Sequence, residues 1–342
     1  MQPVSLPDRE RLLGLIDAFE DQPILMLVDL IADRFITGSP KRISREAPVL
    51  ILRQESDELV PGGGANAVAN VRRLGGEPLV AGVLGTDSRG DRLLEIFERD
   101  GIATGGIVRR AGYDTPCKTR VVGVARHSIK QQIVRFDLED PQALVPSERD
   151  ALSAYLEEQA LRCEVAVLSD YGLGTVEPGF VRTIREAKPL QCLGDSRYRL
   201  PDFTGLSGAT PNEEELESIE ADAGASPARA GLALLRRLQS RFLLLTRGSE
   251  GMMLIDEEGA LRIPCHGTRQ AADVTGAGDT VIGTFALASA AGADPREAAV
   301  LANYAGGVVV MRMGTTTVGP EELREAVRND TTTLEGITWA AW

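Results

Sequence analysis

The sequence predicts an α/β fold: a doubly wound, mostly parallel sheet flanked by helices, with a small antiparallel β lid. Three observations carry this. Short uninterrupted apolar runs recur along the chain, as strands buried on both faces require. Helical patterns alternate with them, the rhythm of a parallel sheet. Two segments instead look half-exposed and interrupt that rhythm.

Residues 8–20 place Leu12, Leu15, Ile16 and Phe19 on one face, which predicts a leading helix packed on the outside, within an N-terminal helical extension over 1–22. Apolar runs at 24–28, 78–84, 165–170, 242–246 and 251–255 predict strands. Helices are expected over Ala65–Leu74, Arg89–Arg99, Arg149–Arg162, Ala228–Gln239 and Thr280–Ala291. The lid is built from about 36–60 and 112–138; in its second segment Lys118, Arg120 and Val122 share one face. With no repeat, low-complexity tract or Pro-rich linker, residues 1–342 are expected to form a single domain carrying this lid.

Composition removes several function classes. Lys plus Arg is 37 against 50 Asp plus Glu, a net charge of −13, which disfavours sequence-independent binding of nucleic acid. No window approaches the ~18 apolar residues of a membrane span. The segment Met1–Glu10 is polar, without the pattern of a secretory signal, so a cytoplasmic location is expected. Four widely spaced cysteines form no CxxC pair and are expected to be reduced packing residues. Two histidines, His127 in a lid turn and His266 in a surface loop, are too few for a His-rich metal enzyme and make a Ser-His-Asp hydrolase a poor fit. For Trp339 and Trp342 the sequence leaves docking and disorder equally open.

Three segments carry chemistry. Asp273-Val-Thr-Gly276-Ala277-Gly278-Asp279-Thr280 runs straight into a predicted helix. Glycines there free backbone N–H groups to face an anion, and the helix dipole adds to the effect. Asp279 in the first turn can take a proton from a hydroxyl, so the segment suits phosphoryl transfer to an alcohol. The plainer alternative is an N-cap Asp in a Gly-rich turn. Pro61-Gly62-Gly63-Gly64-Ala65-Asn66 permits close backbone approach to a ligand, or is simply a helix-capping turn. Asp29 and Asp33 follow the first strand, where parallel sheets bind ligands and carboxylates suit sugar hydroxyls, or where a solvated turn would sit. Neither a Walker-type P-loop, nor a dinucleotide Gly-x-Gly-x-x-Gly after the first strand, nor the protein-kinase set is present.

Together these segments resemble the ribokinase (phosphofructokinase-B) family of carbohydrate kinases. Asp273–Thr280 is similar to its C-terminal signature and Gly62–Asn66 to its Gly-Gly signature. Asn212-Glu-Glu-Glu215 resembles its Asn-x-x-Glu motif, Thr246-Arg-Gly248-Ser-Glu-Gly251 its nucleotide-side loop, and Ala302-Asn303 its adenine-side helix. Within the family the chain most resembles the kinase domain of heptose-7-phosphate kinase. Asp33-Arg34-Phe35, Arg42-Ile43-Ser44, Glu46–Val49, Gln131–Asp137, Ser169–Gly172 and Gly314-Thr315 carry that likeness, from about Ile24 to Val318. Val28, Leu173, Asp195-Ser196-Arg197 and Met311-Arg312 depart from it: a Gly, a Lys, an Asp-Pro-Lys triplet and a Gly-Lys are expected there.

The resemblance implies a ribokinase-like fold and an ATP- and Mg2+-dependent sugar kinase, with K+ a further candidate cofactor. Asp279 would be the base, and Gly276, Ala277 and Gly278 would form the anion hole. Asp29, Asp33, Gly62, Gly63, Asn66 and Asp170 would hold the sugar, and Lys118, Arg120 and Arg135 its phosphate. Asn212, Glu215, Thr246, Gly248, Gly251 and Asn303 would serve the nucleotide, with Glu215 holding Mg2+ through water. The acceptor would be the 1-OH of a heptose 7-phosphate, and the enzyme a homodimer paired through the lid. Bifunctional relatives add a nucleotidyltransferase with its own His-containing motif; here adenylyl transfer is expected of another protein. A kinase of another sugar and a non-catalytic sugar- or nucleotide-binding protein are the alternatives. A dinucleotide oxidoreductase lacks its glycine fingerprint.

Overall fold

In chain order the elements are α1 (Arg9–Asp17), β1 (Pro23–Val28), β2 (Leu30–Ile43), β3 (Leu50–Gly63), α2 (Gly64–Arg73), β4 (Glu77–Gly85), α3 (Ser88–Arg99), β5 (Ala103–Arg110), β6 (Cys117–Gly123) and β7 (Gln131–Leu138). There follow α4 (Pro146–Ala160), β8 (Val165–Asp170), α5 (Gly179–Ala187), β9 (Gln191–Ser196), β10 (Gly208–Ala209), α6 (Glu213–Ile219), α7 (Pro227–Leu238), β11 (Phe242–Thr246), β12 (Met252–Ile255) and β13 (Gly259–Ile263). The chain closes with α8 (Ala277–Ala290), α9 (Pro295–Val309), α10 (Pro320–Asn329) and β14 (Thr338–Ala341). The computed structural model describes residues 7–124, 130–220, 226–267 and 271–342.

β1 is the strand around which the main sheet is organised. It is flanked by β4 and β8, both parallel to it, and the full order is β14-β13-β12-β11-β10-β9-β8-β1-β4-β5. From β5 to β11 every pairing is parallel; β12, β13 and β14 then add antiparallel. Side chains of β1 alternate between two cores. Ile24, Met26 and Val28 pack with α1, α2, α8 and α9, while Leu25 and Leu27 pack with α4, α5 and α7. This alternation is why the run is apolar throughout: neither face meets water.

A second sheet, of order β3-β2-β6-β7, stands beside the first. β2–β3 and β6–β7 are antiparallel pairs, joined by a parallel contact between β2 and β6. The chain leaves β1, crosses at Asp29, and enters β2, which begins inside the body and reaches further back than the predicted lid boundary. β3 returns along it and runs directly into α2. The two strands therefore bind the small sheet to the C-terminal edge of the main one, where parallel sheets place ligands.

The expected leading helix forms as α1, capped by Asp8 and buried through Leu12, Leu15 and Ile16. At the other end Trp339 packs in β14 beneath the Arg296 guanidinium, 4.7 Å from its ring centre, and Trp342 donates its indole N–H to the Asp256 carbonyl at 2.9 Å. The tail is docked. Among the described residues, no helix is long and apolar enough to cross a membrane.

Candidate active site

α8 is mostly apolar and buried from Asp279 to Ala288, so its N-terminus is fixed by packing rather than by propensity. Gly276 caps it with φ +76°, and a Cβ there would lie 2.5 Å from the Asn66 amide nitrogen. The turn before it is tied by Asp273, whose carboxylate accepts from Thr275 N and Oγ1 at 2.9 and 2.7 Å and from Gly314 N at 2.9 Å. These bonds hold the Asp273 carboxyl below its ordinary value despite its partial burial.

Asp279 sits one turn on, 3% exposed. Its Oδ1 accepts from the Tyr171 hydroxyl at 2.8 Å and its Oδ2 from Asn66 Nδ2 at 3.3 Å. Burial is the largest influence and drives its pKa up to about 7; the bonds from Tyr171 and Asn66 oppose this, Asp33 adds to it, and Lys118 counters it. A base with a pKa near the working pH is well matched to proton transfer.

Asn66 reaches Asp279 because α2 starts immediately after the glycine turn. Gly63 has φ +49°, and a Cβ on Gly62 would strike the Asp33 carboxyl carbon at 2.5 Å. Asp33, in β2, pairs with Arg120 of β6 at 2.7 Å, both side chains almost fully enclosed, and accepts a short bond from the Thr315 hydroxyl. Lys118 lies 3.3 Å from Glu139 and 5.3 Å from the centre of the Tyr171 ring.

Asp33, Gly63, Lys118, Arg120, Arg135 and Asp279 line one cavity of about 660 Å3 between the two sheets. Thr246, Gly248, Gly251 and Asn303 line a second, of about 610 Å3, and Asn212, Thr246 and Gly278 border both. Asn212 and Glu215 form a reciprocal cap on α6, with bonds of 2.8 and 3.0 Å. Burial raises the Glu215 carboxyl. Two chambers thus meet over the N-terminus of α8, beside a buried base.

The profile of the pfkB family carbohydrate kinases matches residues 25–170 and 184–322. The chain belongs to that family. This kinase is 39% identical over 317 residues to the bifunctional protein HldE of Halorhodospira halophila, a match covering 91% of this chain and 65% of the relative. It is 37% identical over 331 residues to HldE of Mesorhizobium japonicum, again covering 65% of that protein. The kinase therefore spans about two-thirds of the length of these curated relatives. Its fold is shared with phosphofructokinase-2 of Escherichia coli, at a TM-score of 0.70 and 18% identity over 90% of this chain and 98% of that one. Arabidopsis thaliana ribokinase complexed with ribose and ATP matches at a TM-score of 0.68 and 16% identity, over 91% and 100%.

The kinase departs from the residue-level expectations at several points. Asp29 lines neither cavity. It is buried and accepts backbone N–H bonds from Tyr171 (2.8 Å), Leu173 (3.1 Å) and Thr175 (3.3 Å), while burial still lifts its pKa to about 6. Asp170 lines the first cavity, but its carboxylate bonds Arg199, Ser196 and the Gly172 N–H, its side chain wholly enclosed. Gly62 makes room for the Asp33 carboxylate. Each cation expected to hold a phosphate already has a carboxylate neighbour, Arg135 being paired with Asp137 at 2.9 Å.

His266 sits half-buried in its loop: its ring packs on Tyr304 at 4.7 Å and it lines the second cavity, with burial lowering its pKa. His127 lies outside the described residues. Cys117, Cys163 and Cys192 are buried free thiols, and Cys265 is partly buried. Of the departures from the heptose-type strings, Val28 and Leu173 are buried, Arg197 lines the first cavity, and Arg312 pairs with Glu322. Tyr171 and Thr315 had no role assigned from sequence. The available signal was their place: Tyr171 directly follows a buried parallel strand.

Proposed function

We propose that this carbohydrate kinase transfers the γ-phosphate of ATP to the 1-OH of a heptose 7-phosphate. The observation that carries the phosphotransfer reading is Asp279, a buried carboxylate at a helix N-terminus where two cavities meet. The heptose reading is supported by the strings Asp33–Phe35, Arg42–Val49 and Ser169–Gly172.

Asp279 accepts the proton of the acceptor hydroxyl, and the oxygen so freed displaces ADP at the γ-phosphorus. The N–H groups of Ala277, Gly278 and Asp279 stabilise charge on the transferred group. Asp33, Gly63 and Asn66 orient the sugar, and Lys118, Arg120 and Arg135 face its remote phosphate. Thr246, Gly248, Gly251 and Asn303 line the ATP chamber.

Among the described residues there is no group of three His, Cys, Asp or Glu that could hold a metal ion. The donor set therefore suits a hydrated Mg2+ carried on the ATP phosphates, with Asn212 and Glu215 as its water-mediated partners. When bound, Mg2+ neutralises phosphate charge. K+ is assigned no residues and no step. The small sheet closes the sugar chamber and pairs two copies of the chain.

Asp279→Asn is expected to lose at least about 100-fold in turnover, the lower range of a general base. Near-normal turnover would overturn the assignment. A coupled ADP-release assay on heptose 7-phosphate and on other sugars decides the substrate; turnover of another sugar alone would replace the heptose reading.

A further inference from the structure

The loop after β8 has a geometry that the phosphotransfer reading does not use. Tyr171 N, Leu173 N and Thr175 N all point at the Asp29 carboxylate, at 2.8, 3.1 and 3.3 Å. Three donors from alternate residues fix the backbone of the loop. Asp29 itself is rigidly placed, between β1 of the main sheet and β2 of the small one, and its own N–H donates to the Ser169 carbonyl at 3.0 Å. The side chain that this loop presents is Tyr171. Its ring is confined by Gly63, where a Cβ would approach the ring at 3.2 Å, and by the Lys118 ammonium over its face. Its hydroxyl then donates to Asp279 Oδ1 at 2.8 Å.

The bonds to the two oxygens of Asp279 are unequal. The Asn66 amide is 3.3 Å from Oδ2 and shares its N–H groups with the Gly276 carbonyl at 3.2 Å. The Tyr171 bond is shorter and runs to a hydroxyl that has no other acceptor among the described hydrogen bonds. Oδ1 is therefore the anchored oxygen, and Oδ2 the one left for an incoming proton. A hydroxyl that donates to a carboxylate favours its charged form.

We propose that Tyr171 is a positioning residue for the catalytic base, held in place by Asp29, and that it keeps Asp279 unprotonated and turned with Oδ2 toward the acceptor hydroxyl. This rests on Asp279 being the base. Tyr171 bonds the base and needs no contact with the sugar. Other ionisable groups also face Asp279: Asp33 from β2, Lys118 from β6 and Asp195 from β9. All three remain in a Tyr171→Phe variant, so that change isolates the hydroxyl.

The test is the pH profile of kcat/KM for the sugar substrate, measured on the whole chain for the wild type and Tyr171→Phe. The wild-type rate should fall as pH drops through the pKa of Asp279. Without the hydroxyl the fall should begin about one pH unit higher, so that at the wild-type midpoint the variant loses about 11-fold relative to its own alkaline plateau, against about 2-fold for the wild type. Raising the pH should restore most of the activity, and KM for ATP should stay unchanged. An unshifted acidic limb in Tyr171→Phe, with Asp279→Asn inactive, would overturn this inference and leave the base assignment standing. An active Asp279→Asn would overturn the base assignment, and the inference with it. Asp29→Asn should move the limb in the same direction, and combining it with Tyr171→Phe should add little; a full additional shift would show that Asp29 acts elsewhere.

Discussion

A carboxylate buried away from water keeps its proton longer than an exposed one, even against the hydroxyl and amide that donate to it, and folding then depends on that proton. Asp279 titrates near 7 in the folded chain instead of near its ordinary 3.8. The folded state binds the proton more tightly than the unfolded chain does. The resulting stabilisation is complete below about pH 4 and is lost as pH rises through about 7. Asp279→Asn has no charge to bury and retains an oxygen that can accept from Tyr171. Its melting temperature should match the wild type near pH 4–5 and exceed it by a few degrees at pH 8. Parallel thermal melts at the two pH values check this, and a constant offset would count against it. Such a gain in stability at the cost of activity is expected where a site stores unfavourable burial. The site was legible at this scale only in part. Asp279 declared itself through its glycines and the helix that follows. Asp29 and Asp170 did not, because a carboxylate at the end of a strand serves a ligand or its own loop equally well, and sequence spacing does not say which N–H groups return to it. Arg199, which consumes Asp170, is 29 residues away in the chain.

At the scale of elements, the β2–β3 ribbon is the piece on which the site depends. β3 ends in Gly62 and Gly63, opposite Ile31 and Leu30 of β2, and α2 begins at once. Glycine at 62 lets the Asp33 carboxylate lie against the neighbouring strand, where it can meet Arg120 and Thr315. In Gly62→Ala the methyl would sit 2.5 Å from the Asp33 carboxyl carbon, and the carboxylate must leave. Arg120 would then be a buried cation without its partner. A stability loss of about 1–3 kcal/mol is expected from overpacking, measured by denaturant unfolding. KM for the sugar should rise by about 10-fold or more with KM for ATP unchanged, since about 1.4 kcal/mol of lost binding is tenfold. Equal changes in both constants would show that the ribbon does not belong to the sugar chamber. Elements with a strong period were readable in the sequence: β1, β4, β8 and β11 are uniform apolar runs, and α2, α3 and α7 each keep an apolar face. β10 has two residues and so no period at all. β9 contains Gly194, Asp195 and Ser196, and its strand character comes from pairing with β8 and β10 rather than from its own composition. β14 is held by Trp339 and Trp342 contacts that no local pattern announces.

On the scale of the whole molecule, the small sheet presents apolar side chains that the body does not cover. Ile133, Val134, Phe136 and Leu138 of β7 are exposed, as are Ile43 in β2, Leu50 at the start of β3 and Val49 just before it. Scattered exposed hydrophobes need no explanation, but these gather on one projecting sheet, and β7 is also an open edge. Another copy of the same chain, applying the same face, would cover both the apolar side chains and the edge, as closed two-fold pairing allows. The net charge of −13 opposes this at long range. The pairing should therefore tighten as salt screens repulsion beyond roughly 10 Å at 0.1 M. Light scattering at micromolar concentration should give the mass of two chains, and more completely at 0.3 M than at 0.03 M salt. Phe136→Asp combined with Ile133→Asp should give one chain, because two new charges per copy would have to be buried without partners. A wild-type mass of a single chain at every salt concentration would overturn the pairing. If the pair forms, the double variant also reports on the sugar chamber, since Arg135 lies on β7 between the two changed residues. Loss of pairing should then raise KM for a phosphorylated sugar and leave that for ATP as it was.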